Sequence, residues 1–421
     1  MRIIGIVAAT CLMAFAEEGD PGSARFKLGL EIRGRVEGHE AYSGVAGQDD
    51  GYYLHRVRLS STFTVRPWLH VFAQIQDSRA PGYDRTPVPC SVTNTVDLRQ
   101  AYVEIGLKGE QIWTVRAGRQ PLVFGDMRIL STSNWGNVGP AFDAVRLSRK
   151  TPRARLDWFA SLAVVPANAF DRPRMDKKLS GFHSSFDFSN RGTSVDAYSF
   201  WKSNVKAVDE QGHAGHLNVV TSGVRSVGKL SRGFDYNVEV AFQRGEIVDT
   251  ALAAWLGHWE IGRVLGHRRK APRAWIEYNY ASGDSDPHDG RRQTFEQLYP
   301  SPLSVVGRAA DFASRNLHEP QAGIEWQAYK RMRLRGTYRS FWLANTNDAL
   351  YSLSGAVFAY DPGALDRRVG SEAGVWAICQ ATRRVQIWAG YANLSPGPYL
   401  KAAGRTSSVR YPYAMWTYSV I

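Results

Sequence analysis

Arginine recurs at alternate positions within several segments of this chain, and it is the residue type best placed to do chemistry here. Within FKLGLEIRGRVE (Phe26–Glu37), Lys27, Arg33 and Arg35 share one parity, while Phe26, Leu28, Leu30, Ile32 and Val36 take the other. Arg56 and Arg58 follow, then Arg116, Arg146 and Arg155, and RLRGTYRSFW (Arg333–Trp342) sets Arg333, Arg335 and Arg339 on one side. A guanidinium stays charged and pairs with a carboxylate through two parallel hydrogen bonds. A row of them on an inner wall would hold a carboxylate-bearing solute weakly and repeatedly, which suits passage rather than capture. Glu31, Glu104, Asp143, Asp157, Glu239, Glu277, Glu325 and Glu372 are assigned to the same inner face. Arg–carboxylate pairs that merely brace the wall are therefore the alternative use of these arginines. Asp77 and Arg79, at the end of one segment, read as one more interior salt bridge.

Catalytic readings find less. His288-Asp289-Gly290 and Asp284 lie in a loop, with His258 and His318 elsewhere, and no spacing among them matches a metal or acid–base motif. No serine is singled out as a nucleophile. The chain reads as a non-enzyme with no cofactor and no metal.

A second concentration of polar side chains is FGDMRILSTSNWGNVGPAFDAVRL (Phe124–Leu147), which interrupts two alternating segments. Asp126, Arg128, Asn134, Trp135 and Asn137 are an odd set for a connector; Gly125, Gly136 and Gly139 permit turns, and Pro140 stiffens the exit. Long loops with such content are often functional. The expectation is a loop that folds inward and narrows a lumen, with Arg128 joining the interior arginines. The competing reading is a surface loop with a buried Trp135.

The elements that must position these residues are strands. Period-two alternation runs through the chain, and helical periodicity is almost absent. RLDWFASLAV (Arg155–Val164) and FDYNVEVAFQ (Phe234–Gln243) are clear cases. About eighteen segments are expected, at 25–37, 53–66, 68–79, 97–107, 111–120, 142–149, 153–165, 179–189, 194–202, 214–226, 233–244, 250–264, 272–281, 319–328, 331–343, 368–380, 383–393 and 408–421. The one at 179–189 has the weakest pattern. Most are longer than the 5–6 residues of an ordinary soluble strand and match the roughly 9–11 of a tilted membrane strand. Long and short connections alternate, with an exception near Gly245. KGE (Lys108–Glu110), RKTP (Arg149–Pro152), NRGT (Asn190–Thr193) and QAT (Gln380–Thr382) are short, and Ser282–His318 is the longest. Short periplasmic turns and long extracellular loops are the rule in outer-membrane barrels. A propeller would show a repeat of roughly forty residues, which is not seen.

The bulk properties agree. Aromatics make up 12% of 421 residues, hydrophobic residues 44%, and mean hydropathy is −0.32, as expected when apolar side chains are hidden in alternation. Met1-Arg2, the apolar run Ile3–Ala16 and the Ala14-Phe15-Ala16 site read as a secretory signal peptide over 1–16, leaving 17–421 as the barrel. No later run is long enough for a membrane helix. Cys90 falls in an extracellular loop and Cys379 near the periplasmic end of a strand, so the two are expected far apart and unbridged. The formal charge of +13 on an exported chain points to an anionic solute or an anionic lipid surface and away from nucleic acid. The final segment, VRYPYAMWTYSVI, reads as an amphipathic strand of the kind that barrel-assembly machinery recognises, though it ends on Ile421 instead of an aromatic.

GRQPLVFGDMRILSTSNWGNVGPAFDAVRLS (Gly118–Ser148) resembles the signature of the alginate-export family of outer-membrane barrels. DLRQAYVEI (Asp97–Ile105), YNYASGD (Tyr278–Asp284) with TFEQLYPSPLSVVGRAADFASRNL (Thr294–Leu317), and RRVGSEAGVW (Arg367–Trp376) with GYANLSPGPYLKAAG (Gly390–Gly404) are similar to further parts of it, in order. The sequence departs at Pro140, where the family tends to carry a basic residue. The resemblance implies an eighteen-stranded monomeric barrel in the outer membrane of a Gram-negative-type bacterium, with a basic lumen that passes an anionic polysaccharide. Its partners would then be outer-membrane lipid and lipopolysaccharide, the anionic polysaccharide or another anionic solute, and periplasmic export components. A porin for small anions or oligosaccharides is the alternative, and a non-conducting surface barrel the third.

Overall fold

The computed structural model describes residues 25–85, 88–89, 91–107, 112–132, 134–166, 171–188, 192–209, 212–266, 270–301, 306–361 and 363–420. The signal-peptide expectation and Cys90 lie outside these residues. Eighteen long strands form the wall: β1 Arg25–His39, β2 Asp50–Arg66, β3 Leu69–Arg79, β4 Asn94–Leu107, β5 Ile112–Gln120, β6 Ala141–Lys150, β7 Ala154–Val165, β8 Arg172–Phe188 and β9 Thr193–Val208 make one half. β10 Ala214–Lys229, β11 Phe234–Ile247, β12 Thr250–Val264, β13 Arg273–Ala281, β14 Leu317–Tyr329, β15 Met332–Leu343, β16 Arg368–Gln380, β17 Val385–Pro396 and β18 Val409–Val420 make the other. Each strand pairs antiparallel with its sequence neighbours, and β1 pairs with β18 from Leu30↔Val420 to Glu37↔Tyr413. The barrel is closed, so no strand edge is left unpaired, as a membrane requires.

Parity explains the two faces. Phe26, Leu59, Val115, Val145, Phe242 and Val375 are exposed on the outer wall, where lipid would cover them, while Arg33, Arg56, Asp157 and Glu239 are buried inside. The connections alternate over most of the wall, apart from 209–213, five residues on the long-loop side, and 265–272, eight on the short-turn side. The exception near Gly245 is a two-residue hairpin, Val248-Asp249, on the long-loop side; Val248 adopts φ 52°, uncommon for a β-branched residue. Cys379 is free, one residue from the short-turn end of β16.

Three expectations need correction, and a bulge in β4 adds two inward residues. β8 starts at Arg172, seven residues before the expected 179: the register with β7 jumps from Leu162↔Lys178 to Val164↔Pro173, and the bulged residues between, with Arg174 and Lys178, hide the apolar alternation. Asp143 lies on the outer face of β6, with the exposed Val145, and pairs there with Arg119 at 2.8 Å. It is three residues from the inward Arg146, so the two cannot share a face. Asp77 and Arg79 bond to one another at 2.9 Å on the outward parity of β3; the inward residues are Gln76 and Ser78, both buried. In β4 the register shifts where Gln74↔Gln100 gives way to Ile75↔Leu98, and this bulge turns both Asp97 and Arg99 inward although Gln100 and Glu104 also face the lumen.

Two long loops fill the upper interior. Residues 121–140 and 282–316 meet as a short parallel ladder: Ser131 N–H donates to the Tyr299 carbonyl at 2.7 Å, and Tyr299 N–H donates to Ile129 at 3.1 Å. Leu122, Phe124, Ile129 and Leu130 from one loop and Phe295 and Leu298 from the other pack on inward residues such as Phe142, Phe159, Phe200 and Leu256. A second cluster joins Val306, Ala309 and Phe312 to Phe341, Leu394 and Tyr411.

Candidate functional site: the loop across the lumen

The loop of residues 121–140 is held at two places by opposite chemistry. On the β1–β2 wall, every second residue places Arg33, Arg35, Arg56 and Arg58 side by side under Asn134–Asn137. Arg33 donates to the carbonyls of Asn134 (2.6 Å) and Gly136 (2.9 Å), and Arg35 to that of Trp135 (2.6 Å). Arg56 reaches the Gly136 carbonyl (3.1 Å) and the Asn134 side chain (3.1 Å), and Arg58 the Asn134 side chain (3.0 Å). Two carboxylates share this group: Glu31 with Arg56 at 2.7 Å and Glu37 with Arg35 at 2.5 Å. Neutral carbonyls take most of the remaining donors. Asn137 finishes the anchor by donating to the carbonyls of His55, Arg79 and Val92.

Across the lumen the charges are reversed. Arg128, 7% exposed, sits among Asp126 (3.4 Å), Glu239 (3.6 Å) and Glu277 (4.0 Å) and donates to Asn279 at 3.1 Å. Burial alone would raise the Asp126 carboxyl, but Arg128 and Arg225 outweigh it and hold it below its ordinary value. Asn237 also donates to it at 3.0 Å.

Trp135 stacks under Arg35 (4.1 Å) and under Arg308 of the second loop (4.5 Å). Arg308 is caged by Trp135, Trp376 (4.6 Å) and Tyr413 (4.9 Å), and Glu372 accepts its backbone N–H at 3.1 Å. Burial pushes this guanidinium down from its ordinary value. Loop position offers no parity, so alternation does not reveal Arg308.

Beneath the loop a cavity of about 420 Å³ opens in the lumen, lined by Arg116, Arg146, Arg155, Arg225, Asp157, Asp196 and His183, with Phe124 and Gly125 of the loop above. Asp157 braces Arg146 (2.9 Å) and Arg155 (2.9 Å), Asp196 braces Arg225 (3.1 Å), and Arg116 pairs with Glu104 outside the lining. With Glu104 counted, four arginines face three carboxylates, which leaves one positive charge in surplus. Both ring nitrogens of His183, 6% exposed, lack a hydrogen-bond partner among the described residues. Arg225 has the parity opposite to the exposed Val220 and Val224, the signal that would have identified it.

The remaining interior arginines lie apart from this cavity. Arg339 is buried between Glu319 (2.8 Å) and Glu372 (3.8 Å); Arg333 and Arg335 lie 3.6 and 3.9 Å from Glu325, and Arg335 stacks on Trp275 at 4.5 Å. The arginines named from sequence thus form a clamp, a cavity lining and a set of wall braces, not a single ladder.

A closed barrel with an apolar outer belt, a charged lumen and inward-folded long loops is an outer-membrane β-barrel of the channel class. Solved structures share the fold. OpdK of Pseudomonas aeruginosa, crystallised with vanillate, superposes with a TM-score of 0.63 at 10% identity over 94% of this chain and 98% of its own. OccD3 (OpdP) of the same organism gives 0.63 at 14% identity over 96% and 95%. No curated protein sequence matches. The family described as Alginate export matches residues 24–414, and the chain belongs to it.

Proposed function

We propose that this outer-membrane channel passes an anionic, carboxylate-rich polysaccharide of the polyuronate type, outward, as a monomer and without catalysing a reaction. The observation that carries this is the cation-surplus cavity at Arg116, Arg146, Arg155 and Arg225 directly under the lumen-crossing loop. There a chain of uronates meets planar donors already oriented by Asp157 and Asp196, and the bracing carboxylates keep each contact weak enough to release. The clamp arginines are engaged by the loop, so they position the constriction and do not line the path. Periplasmic export components would deliver the polymer to the short-turn end.

A second reading, an uptake porin for small carboxylates, draws support from the tight packing of both long loops inside the barrel and from a fold shared with a protein crystallised with vanillate. Single-channel recording in planar bilayers with added polyuronate separates the two. Block by micromolar polymer, relieved in Arg146→Ala and Arg225→Ala, supports polymer passage. Current unaffected by polymer but carried by small carboxylates supports the porin.

A further inference from the structure

The outer wall has a feature that solute passage does not use. Strands β11 to β15 enclose an apolar groove of about 750 Å³ on the membrane side, within the size range of ligand sites. Its floor is small: Pro320, Ala322 and Ser340. The β14–β15 pairing steps from His318↔Trp342 to Gln321↔Arg339, and Pro320, which has no N–H, lies between. Ser340 has the outward parity of the exposed Tyr338, yet it is only 9% exposed, so it lies at the bottom of the depression. Trp259, Tyr278 and Trp342 form the walls.

The groove runs obliquely up the wall: Ile276 lies three residues from the short-turn end of β13, whereas Pro320 and Ser340 lie three residues below the long-loop ends of β14 and β15, about 10 Å along the strand at roughly 3.4 Å per residue, so its upper part is on the extracellular side. Its upper end reaches a cationic rim. Trp342 is paired with His318 on one side and Arg368 on the other. Arg367 and Arg368 are both exposed, and neither forms a salt bridge with a described residue; the nearby Asp366 accepts the N–H of Arg368 at 2.7 Å. Leu365, beside them, is fully exposed.

Acyl chains gain no hydrophobic energy by leaving one apolar surface for another inside a bilayer, so shape and charge must select the occupant. The upper part of this apolar slot lies below two exposed guanidiniums that have no carboxylate partner among the described residues, Arg367 donating only to the Ala344 carbonyl at 3.4 Å, and it fits a molecule with a phosphate above and acyl chains below. We propose that β11–β15 bind one phosphorylated glycolipid of the outer leaflet, lipopolysaccharide in chemical class, with its phosphate on Arg367 and Arg368 and an acyl chain over Ala322 and Ser340. This does not depend on which solute the lumen carries.

The test is native mass spectrometry of the full chain extracted from outer membranes, followed by titration of the delipidated barrel in mild detergent with purified lipid A or with phosphatidylglycerol. One glycolipid per wild-type barrel is expected, with at least tenfold less bound in the Arg367→Ala/Arg368→Ala double variant and in Ser340→Trp, which fills the groove. Val115→Trp, on the outer wall of β5, should retain it. If Ser340→Trp fails to fold, as judged by heat-modifiable migration, the arginine variant, which changes only exposed side chains, decides. Absence of a one-to-one adduct, unchanged binding in the double variant, equal binding of phosphatidylglycerol, or a barrel dimer seated on this face would each overturn the proposal.

Discussion

The two ends of the lumen-crossing loop differ in what holds them. At Asn134–Asn137 the wall is cationic and the loop supplies mainly neutral carbonyls; at Arg128 the wall is anionic and the loop supplies the cation. Removing Arg33 from the first anchor leaves Arg56 on the same Asn134 and Gly136 carbonyls. Removing Arg128 takes away the guanidinium that Asp126, Glu239 and Glu277 share within 4.0 Å. One end is therefore redundant and the other is not, although both are rich in charge.

Arg128→Ala should give the largest effect. Breaking a buried charge cluster by removing one partner costs about 3–5 kcal/mol, so the loop should leave that wall; larger single-channel conductance with faster gating noise is the readout, and wild-type conductance would contradict the asymmetry. Trp135→Ala comes next. It opens the stack between Arg35 and Arg308, and about 2–4 kcal/mol of packing and cation–π contact is at stake; a lowered midpoint of thermal unfolding in detergent is expected. Arg33→Ala alone should cost only about 1–2 kcal/mol, because Arg56 still reaches the Asn134 and Gly136 carbonyls. The double variant Arg33→Ala/Arg56→Ala should cost more than the sum of its parts, and a thermodynamic cycle on unfolding midpoints checks this.

The smallest effect concerns pH and the second loop. Burial would raise the Glu296 carboxyl, but Arg315, Lys202 and Arg292 outweigh it and hold it at about 2. Lys202 and Arg315 lie 2.8 and 2.9 Å away. A carboxyl depressed on folding contributes stability that is present above its unfolded value, about 4.3, and lost as pH falls through the folded one. Conductance should therefore be constant from neutral pH to about 5 and should change only as pH falls from about 4 towards 2. Glu296→Gln should reduce that acid-side change, the remainder coming from the likewise depressed Asp126.

Strand number, closure and the inward face of most strands were legible because side chains alternate with a period of two and one wall faces lipid. Parity does not carry across the β4 bulge to Arg99, and it was misapplied at Asp143 and at Asp77 and Arg79. It identified the interior arginines of β1 and β2 but could not say that a loop would occupy them. Phe124–Leu147 read as a polar loop turned inward; that its Asn134–Gly136 backbone accepts from three arginines was not readable, because backbone carbonyls leave no mark in a sequence.

By itself the sequence determined a barrel of about eighteen strands, its lipid face and its surplus of interior cations, since each follows from local periodicity and composition. Only the tertiary structure decided how those cations divide. Closing the wall brought β1 and β2 to one side of the lumen and β11, β13 and β14 to the other, and the loop of residues 121–140 crossed between them. Contacts between residues separated by 101 positions, as Arg33 and Asn134 are, depend on how the ring closes and not on any local pattern.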